Sequence, residues 1–220
     1  MVETGFMMPS WLSLLAMLLS LITAILFFSR KNAREEALTL LMLLSLLLFA
    51  KQVFFLFYPA NKDTQPFYRS LFEASEFILL TFIFRSALHK TFFRQWINYL
   101  VIAFSSVVLT LYNTQLNYDF IPALRIAEAM ILVLLSIITL LILIRNQFIS
   151  IFNAFVFWIA GGTLFYYSML LAAEWMSWQG LLIENGAMEK KLLLSTFGII
   201  QLVFYLIALL TKRSKKQEEY

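Results

Sequence analysis

Apolar residues along this chain neither alternate nor keep to one helical face; they come in long runs. Seven such runs, at roughly 9–28, 37–58, 67–88, 95–113, 121–144, 149–174 and 190–211, are each flanked by polar residues. A helix needs about 20 mostly apolar residues to cross the hydrocarbon of a bilayer. A barrel strand would need about half that length and would alternate. The pattern therefore predicts seven transmembrane helices. Pro9, Pro59, Pro66 and Pro122 all fall at expected helix ends, where a first-turn N–H would be unpaired anyway. The helices should therefore be unbroken. Gly161-Gly162-Thr163 in the sixth run is the single weak point. Its favoured reading is close helix packing through small residues, with Gly198 and Ser195 of the seventh run as the facing surface.

Lysine and arginine sort onto two sides of this scheme. Arg30, Lys31, Arg34, Arg85, Lys90, Arg94, Arg145, Lys212, Arg213, Lys215 and Lys216 fall on one side, and Lys62, Lys190 and Lys191 on the other. Basic residues accumulate on the cytoplasmic side of membrane proteins. The N-terminus is thus expected outside and the C-terminus in the cytoplasm. The first run is read as a helix rather than a signal peptide, because its basic cluster follows the apolar stretch instead of preceding it. The net charge of +4 then reports orientation, not nucleic-acid binding. The tail from Lys212 to Tyr220 reads chiefly as a stop-transfer cap, with contact to anionic lipid or a partner as the alternative.

Composition sharpens the picture. The chain is 61% hydrophobic and 14% charged, with a mean hydropathy of +0.81, against about 45–50% and about 25% for soluble domains. That much apolar surface cannot be hidden in a water-soluble core, so the bilayer is the expected partner. The expected architecture is all-α: a polytopic integral membrane bundle of seven transmembrane helices forming a single domain. The absence of cysteine excludes disulfides and thiolate chemistry, and a single histidine, His89, excludes multi-histidine metal sites. No metal and no cofactor are expected. His89 reads as a solvated interface residue, and Trp175 and Trp178 as an interfacial belt.

Against this background some charges are out of place. An ionisable side chain at the helix centre costs about 2.5–3.5 kcal/mol on insertion scales. Lys51 nevertheless lies in the second run. Arg69, Glu73 and Glu76 share one face of the third, because spacings of three, four and seven stack on a helix. Arg125 and Glu128 do the same on the fifth, and Glu174 closes the sixth. At about 1.5 Å per residue, Glu76 sits about 15 Å deep, and Glu128 and Lys51 about 10 Å. All of these belong to the outer half. Lys51, Arg69 and Arg125 balance Glu73, Glu76 and Glu128, which points to one network facing the bundle interior. Glu73 and Glu76, on adjacent turns, require either a basic partner between them or a proton on one carboxyl. The third and fifth runs also look related: Ser75 to Leu80 resembles Ala127 to Leu132, with an arginine before each glutamate, and Gln201 holds a loosely similar place in the seventh.

Two readings of the network stay open. In one it is glue that fixes helix register. In the other it lines an outward-open polar pocket of Lys51, Arg69, Glu73, Glu76, Arg125, Glu128 and Tyr166. Phe54, Phe55, Phe57 and Tyr58, with Phe165 and Tyr167, would then serve as walls. Interhelical polar contacts contribute only about 1–2 kcal/mol at most, so glue alone is a poor return on several buried charges.

Three stretches carry a family resemblance: Glu76-Phe77-Ile78-Leu79-Leu80, Glu128, and the segment from Phe157 to Tyr167. On these the chain resembles a group of uncharacterised small seven-span proteins of Bacteroidota-type bacteria. The resemblance implies a seven-helix fold in a bacterial inner membrane and an association with signalling proteins, but no activity. Retinal proteins need a lysine in the middle of the last helix, PQ-loop carriers need intramembrane Pro-Gln pairs, and ceramidase-type hydrolases need several histidines; none is present. The leading functional expectation is a non-enzymatic receptor or sensor subunit, read by a partner at the basic inner face. The alternatives are a proton-coupled transporter, a scaffold, and a lipid-modifying enzyme using Glu73 and Glu76 as an acid–base pair.

Overall fold

A computed structural model describes residues 10–29, 36–57, 65–87, 93–113, 120–145, 155–179 and 186–211. Among these residues the chain is all-α, with seven helices and no strand. They are α1 (Ser10–Ser29), α2 (Glu36–Phe57), α3 (Gln65–Ala87), α4 (Phe93–Asn113), α5 (Phe120–Arg145), α6 (Phe155–Trp178) and α7 (Gly186–Leu210). Each matches one apolar run. The sixth continues through Trp175 to Trp178, past the expected end at 174, and the seventh begins at Gly186, ahead of the expected start at 190. Residues 149–154 of the sixth run lie outside the described set. Pro66 and Pro122 fall in the first turns of α3 and α5, as an absent N–H allows; Pro9 and Pro59 lie outside the described residues.

Among the described residues four segments are long and apolar enough to cross a membrane: Glu36–Phe55, Ala123–Arg145, Phe155–Trp178 and Leu192–Leu210, with a shorter apolar stretch at Leu14–Leu26. This is a multi-pass membrane protein. The outward faces agree. On α5, Met130, Leu134, Ile137, Leu141 and Ile144 form an exposed stripe, and on α1 so do Leu14, Leu18, Ile22 and Ile25. Spacings of three and four put each set on one side of its helix. In water such faces would be large exposed apolar patches; against acyl chains they are ordinary.

Six helices form a ring in the order α1, α2, α3, α5, α6, α7, closed by contact of α7 with α1, while α4 packs on α3. α3 also reaches α6 across the ring. The core is built from Phe77, Leu80, Ile83 and Phe84 of α3, Leu41 and Leu44 of α2, Leu132 of α5, Ile159 of α6 and Tyr205 of α7, all buried. Buried hydroxyls turn back onto their own helices. Ser20, Thr23, Ser45, Thr81, Ser136 and Thr139 each donate to the carbonyl four residues earlier, at 2.7–2.9 Å. Each polar group is thus satisfied without water, which lipid cannot supply.

α6 runs unbroken through Gly161-Gly162-Thr163, so this is a packing site, as expected. Its facing residue is different from the expected one. Phe204 of α7 lies over both glycines, whereas Gly198 faces the ring of Tyr166. A β-carbon at Gly162 would come within 2.7 Å of the Phe204 Cβ, while one at Gly161 would meet only the ring edge, at 3.3 Å. A Cβ is fixed to the backbone, whereas a ring can tilt. Gly162→Ala should therefore destabilise the bundle by about 1–3 kcal/mol and Gly161→Ala by clearly less, read as thermal midpoints in detergent.

Candidate functional site

The five helices α2, α3, α5, α6 and α7 bring their charged side chains to one region. In the described spans the opposite half of the bundle carries ionisable residues only near helix ends, at Glu36, Arg85, Arg94 and Arg145. Arg85 keeps its guanidinium 5.6 Å from the Phe82 ring centre, a cation–π distance.

α2 contributes Lys51, whose Nζ donates to Glu76 Oε2 of α3 at 3.1 Å. Tyr167 of α6 donates its hydroxyl to the other oxygen, Oε1, at 3.2 Å. Glu76 is only 5% exposed, so these two donors replace the water it gave up. One turn earlier on α3, Glu73 pairs with Arg125 of α5 at 3.5 Å. Arg125 also approaches Glu174 of α6 at 3.7 Å, and Lys190 of α7 closes on Glu174 at 2.6 Å. The adjacent glutamates of α3 thus do not share one cation: each has its own, from opposite neighbours in the ring. That placement answers the like-charge problem posed by their spacing, because each carboxylate faces an opposite charge of its own.

Glu128 is the exception. It sits on α5, one turn after Arg125, and is 5% exposed. Among the described residues it makes no ion pair within 4.0 Å and no hydrogen bond. It instead borders two small clefts. One is lined by Ser70, Glu73, Ala74, Phe104, Leu124 and Arg125 besides Glu128. The other adds Lys51, Glu76, Tyr166, Tyr167 and Leu170 to the Glu73, Arg125 and Glu128 side. Each has room for about one water molecule, far below the roughly 300–1,000 Å³ of sites for small organic ligands.

Lys51, Glu73, Glu76, Arg125, Glu128 and Tyr166 border one cleft. The side chain of Arg69, like Phe57 and Tyr58 of the expected walls, lies outside the described residues, as does His89. Phe54 and Phe55 do not line the clefts. They stack on Phe72 of α3, with ring centres 5.8 and 6.0 Å away, and Phe54 also meets Tyr68 at 4.8 Å. Phe165 packs on Phe197 at 5.4 Å. These rings hold helices together rather than wall a pocket. No family model, no curated protein and no solved structure matches the chain.

Sequence reading placed Glu174 at a helix end and Lys190 at the surface, and missed both as members of the network. The signal was available: the two face each other across the α6–α7 connection, at the same end of the bundle. Tyr167 was read as a wall, but its hydroxyl is a ligand of Glu76. Adjacent residues point about 100° apart on a helix, so sequence alone could not tell how the pair divides between cleft and neighbour; both border the second cleft, and Tyr167 bonds Glu76. Deeper in the bundle, Gln201 donates to the Tyr205 hydroxyl at 2.7 Å, which meets Thr163 at 3.1 Å. This second polar cluster is fully buried and carries no charge. Among the described residues no group of histidine, cysteine, aspartate and glutamate could hold a metal.

Proposed function

We propose that the chain crosses the membrane seven times, with its N-terminus outside and its C-terminus in the cytoplasm, and serves as a non-enzymatic receptor or sensor subunit. The asymmetry of lysine and arginine between loops supports the orientation. The resemblance to small bacterial seven-span proteins supports an inner-membrane location and a signalling partner at the basic inner face. The observation that carries the reading is the convergence of charged side chains from three helices, α2, α3 and α5, and of two tyrosines from α6 on clefts bordered by Glu128, which makes no ion pair among the described residues. The ligand is small and polar and enters from the outer side.

The tightness of the clefts supplies a signal. A ligand larger than water can enter only if ion pairs between helices give way, and those pairs tie α5 to α3 and α6. Binding and helix movement are then one event, which a partner inside can read. A scaffold is the second reading, favoured by the fact that Lys51, Arg125 and Lys190 are all engaged by glutamates. Glu76→Gln and Glu128→Gln separate the two. In a thermal-shift screen against small polar and zwitterionic metabolites, both variants should express and fold but lose the ligand-dependent stabilisation of the native protein. Failure of both to fold supports the scaffold instead.

A further inference from the structure

Glu128 poses a chemical problem that its neighbours do not solve. Of the four glutamates described in the cluster, Glu73, Glu76 and Glu174 each meet a cation. Arg125, one turn away on the same helix, turns from Glu128 toward Glu73 and Glu174. The groups facing Glu128 can be taken helix by helix. α2 presents Lys51, engaged with Glu76; α3 presents Glu73 and Glu76, with Arg69 one turn before Glu73; α4 presents Phe104 and no ionisable group. α5 presents Arg125; α6 presents the Tyr166 and Tyr167 hydroxyls, with Glu174 behind Arg125; among the described residues α7 reaches the cluster through Lys190 on Glu174 and through Tyr205 on the Glu76 side. Among the described residues no cation comes within ion-pair distance of Glu128.

A charged group removed from water without a partner is too costly to persist, and the group neutralises instead. A cleft the size of one water beside it admits one small species. We propose that Glu128 is a proton-binding site, and that its occupancy decides whether Arg125 ties α5 to α3 and α6. The inference rests on the reading of this cluster as a ligand site and names the ligand that its closed form takes. The step is simple: hydronium in the cleft gives its proton to a Glu128 carboxylate oxygen, one O–H bond forms, and water remains. With the proton on, Glu128 does not compete for Arg125. With the proton off, the carboxylate draws the guanidinium back along α5, because i and i+3 side chains on one helix are neighbours. Arg125 is easily recruited. Its contacts of 3.5 and 3.7 Å are longer than the roughly 2.7–2.9 Å of tight charge-assisted bonds. The Lys51–Glu76 and Lys190–Glu174 pairs are untouched, so the movement is confined to α5.

The test uses the full chain in lipid nanodiscs, with no ligand added. Infrared difference spectra across pH should show a protonated-carboxyl C=O band that shifts in deuterium oxide, disappears in Glu128→Gln and survives in Glu73→Gln. Carbon-13 labelling of glutamate assigns the band in the native protein even if a variant does not fold. Because the chain has no cysteine, spin labels can be placed cleanly at the exposed Ala123 and Trp178 through cysteine substitution. The distance between these labels on α5 and α6 should change with pH over the same range as the band, and should not change in Glu128→Gln. Absence of a protonated glutamate band from the native protein, or its persistence in Glu128→Gln, overturns the proposal. So does a distance that ignores pH or that follows sodium at fixed pH. A missing band alongside intact ligand stabilisation, lost in Glu76→Gln, sinks the proton site and leaves the receptor reading standing. A Glu128 band with no stabilising ligand does the reverse.

Discussion

Lys51→Met should destabilise the folded protein by about 3–5 kcal/mol, the range seen when one partner of a buried ion pair is removed. The loss comes from what is left behind. Glu76 is nearly inaccessible, and without Lys51 only the Tyr167 hydroxyl among the described residues still bonds its carboxylate. A glutamate side chain is too short to reach the interface from about 16 Å below the start of α3, whereas a lysine can snorkel. The two single variants are therefore unequal. Glu76→Gln leaves a cation that can stretch toward water and an amide that still accepts from Tyr167, so it should be much milder. The double variant Lys51→Met with Glu76→Gln should recover most of the loss, because no buried charge remains unpaired. Reversible unfolding of the four proteins in a denaturing-detergent titration gives the coupling directly. Equal effects of the two single variants, or no recovery in the double, would show that Lys51 acts through packing rather than charge.

Much of this arrangement was legible in the sequence, and for a physical reason. A long apolar run in lipid must be a helix, so helical periodicity could be applied with little risk from Ala123 to Arg145, and the run from Gln65 to Ala87 is likewise one helix. Residues 73 and 76, or 125 and 128, then had to share a face. Their common depth followed from counting residues. What could not be counted was neighbourhood. Nothing in the spacing says that α3 lies between α2 and α5 while α4 packs beside it. Hence the partners of Glu73 and Glu76 were not assignable, and Glu174 and Lys190 were set apart from a network they complete. The small-residue surface of α6 was recognised, but its cover was not. Phe204 fills a groove that glycines were expected to meet, because a flat ring and a missing side chain are complementary shapes that no local pattern encodes. Phe54 and Phe55 show the converse. Phenylalanine is abundant throughout the chain, with 23 copies, so clustering in sequence said little about which rings would face a cleft.

Arg125→Met should be at least as damaging as Lys51→Met, at about 3–5 kcal/mol, and its rescue should be selective. Arg125 is 17% exposed and bridges carboxylates on two different helices, Glu73 on α3 and Glu174 on α6. Its removal leaves the two unequally placed. Glu174 keeps Lys190 at 2.6 Å, whereas Glu73 loses its ion pair to α5. Glu73→Gln should therefore restore much of the stability of Arg125→Met, and Glu174→Gln should restore little or make matters worse by releasing Lys190. Arg125→Lys should fall between native and methionine, since an ammonium is a point charge and cannot fork between two carboxylates as a guanidinium does. The same unfolding titration reads all of these. The order of rescue is the informative part. If Glu174→Gln rescues better than Glu73→Gln, the bridge from α5 runs mainly to α6, and the pull of Arg125 on α3 is too weak to couple the charged end of the bundle to anything bound there.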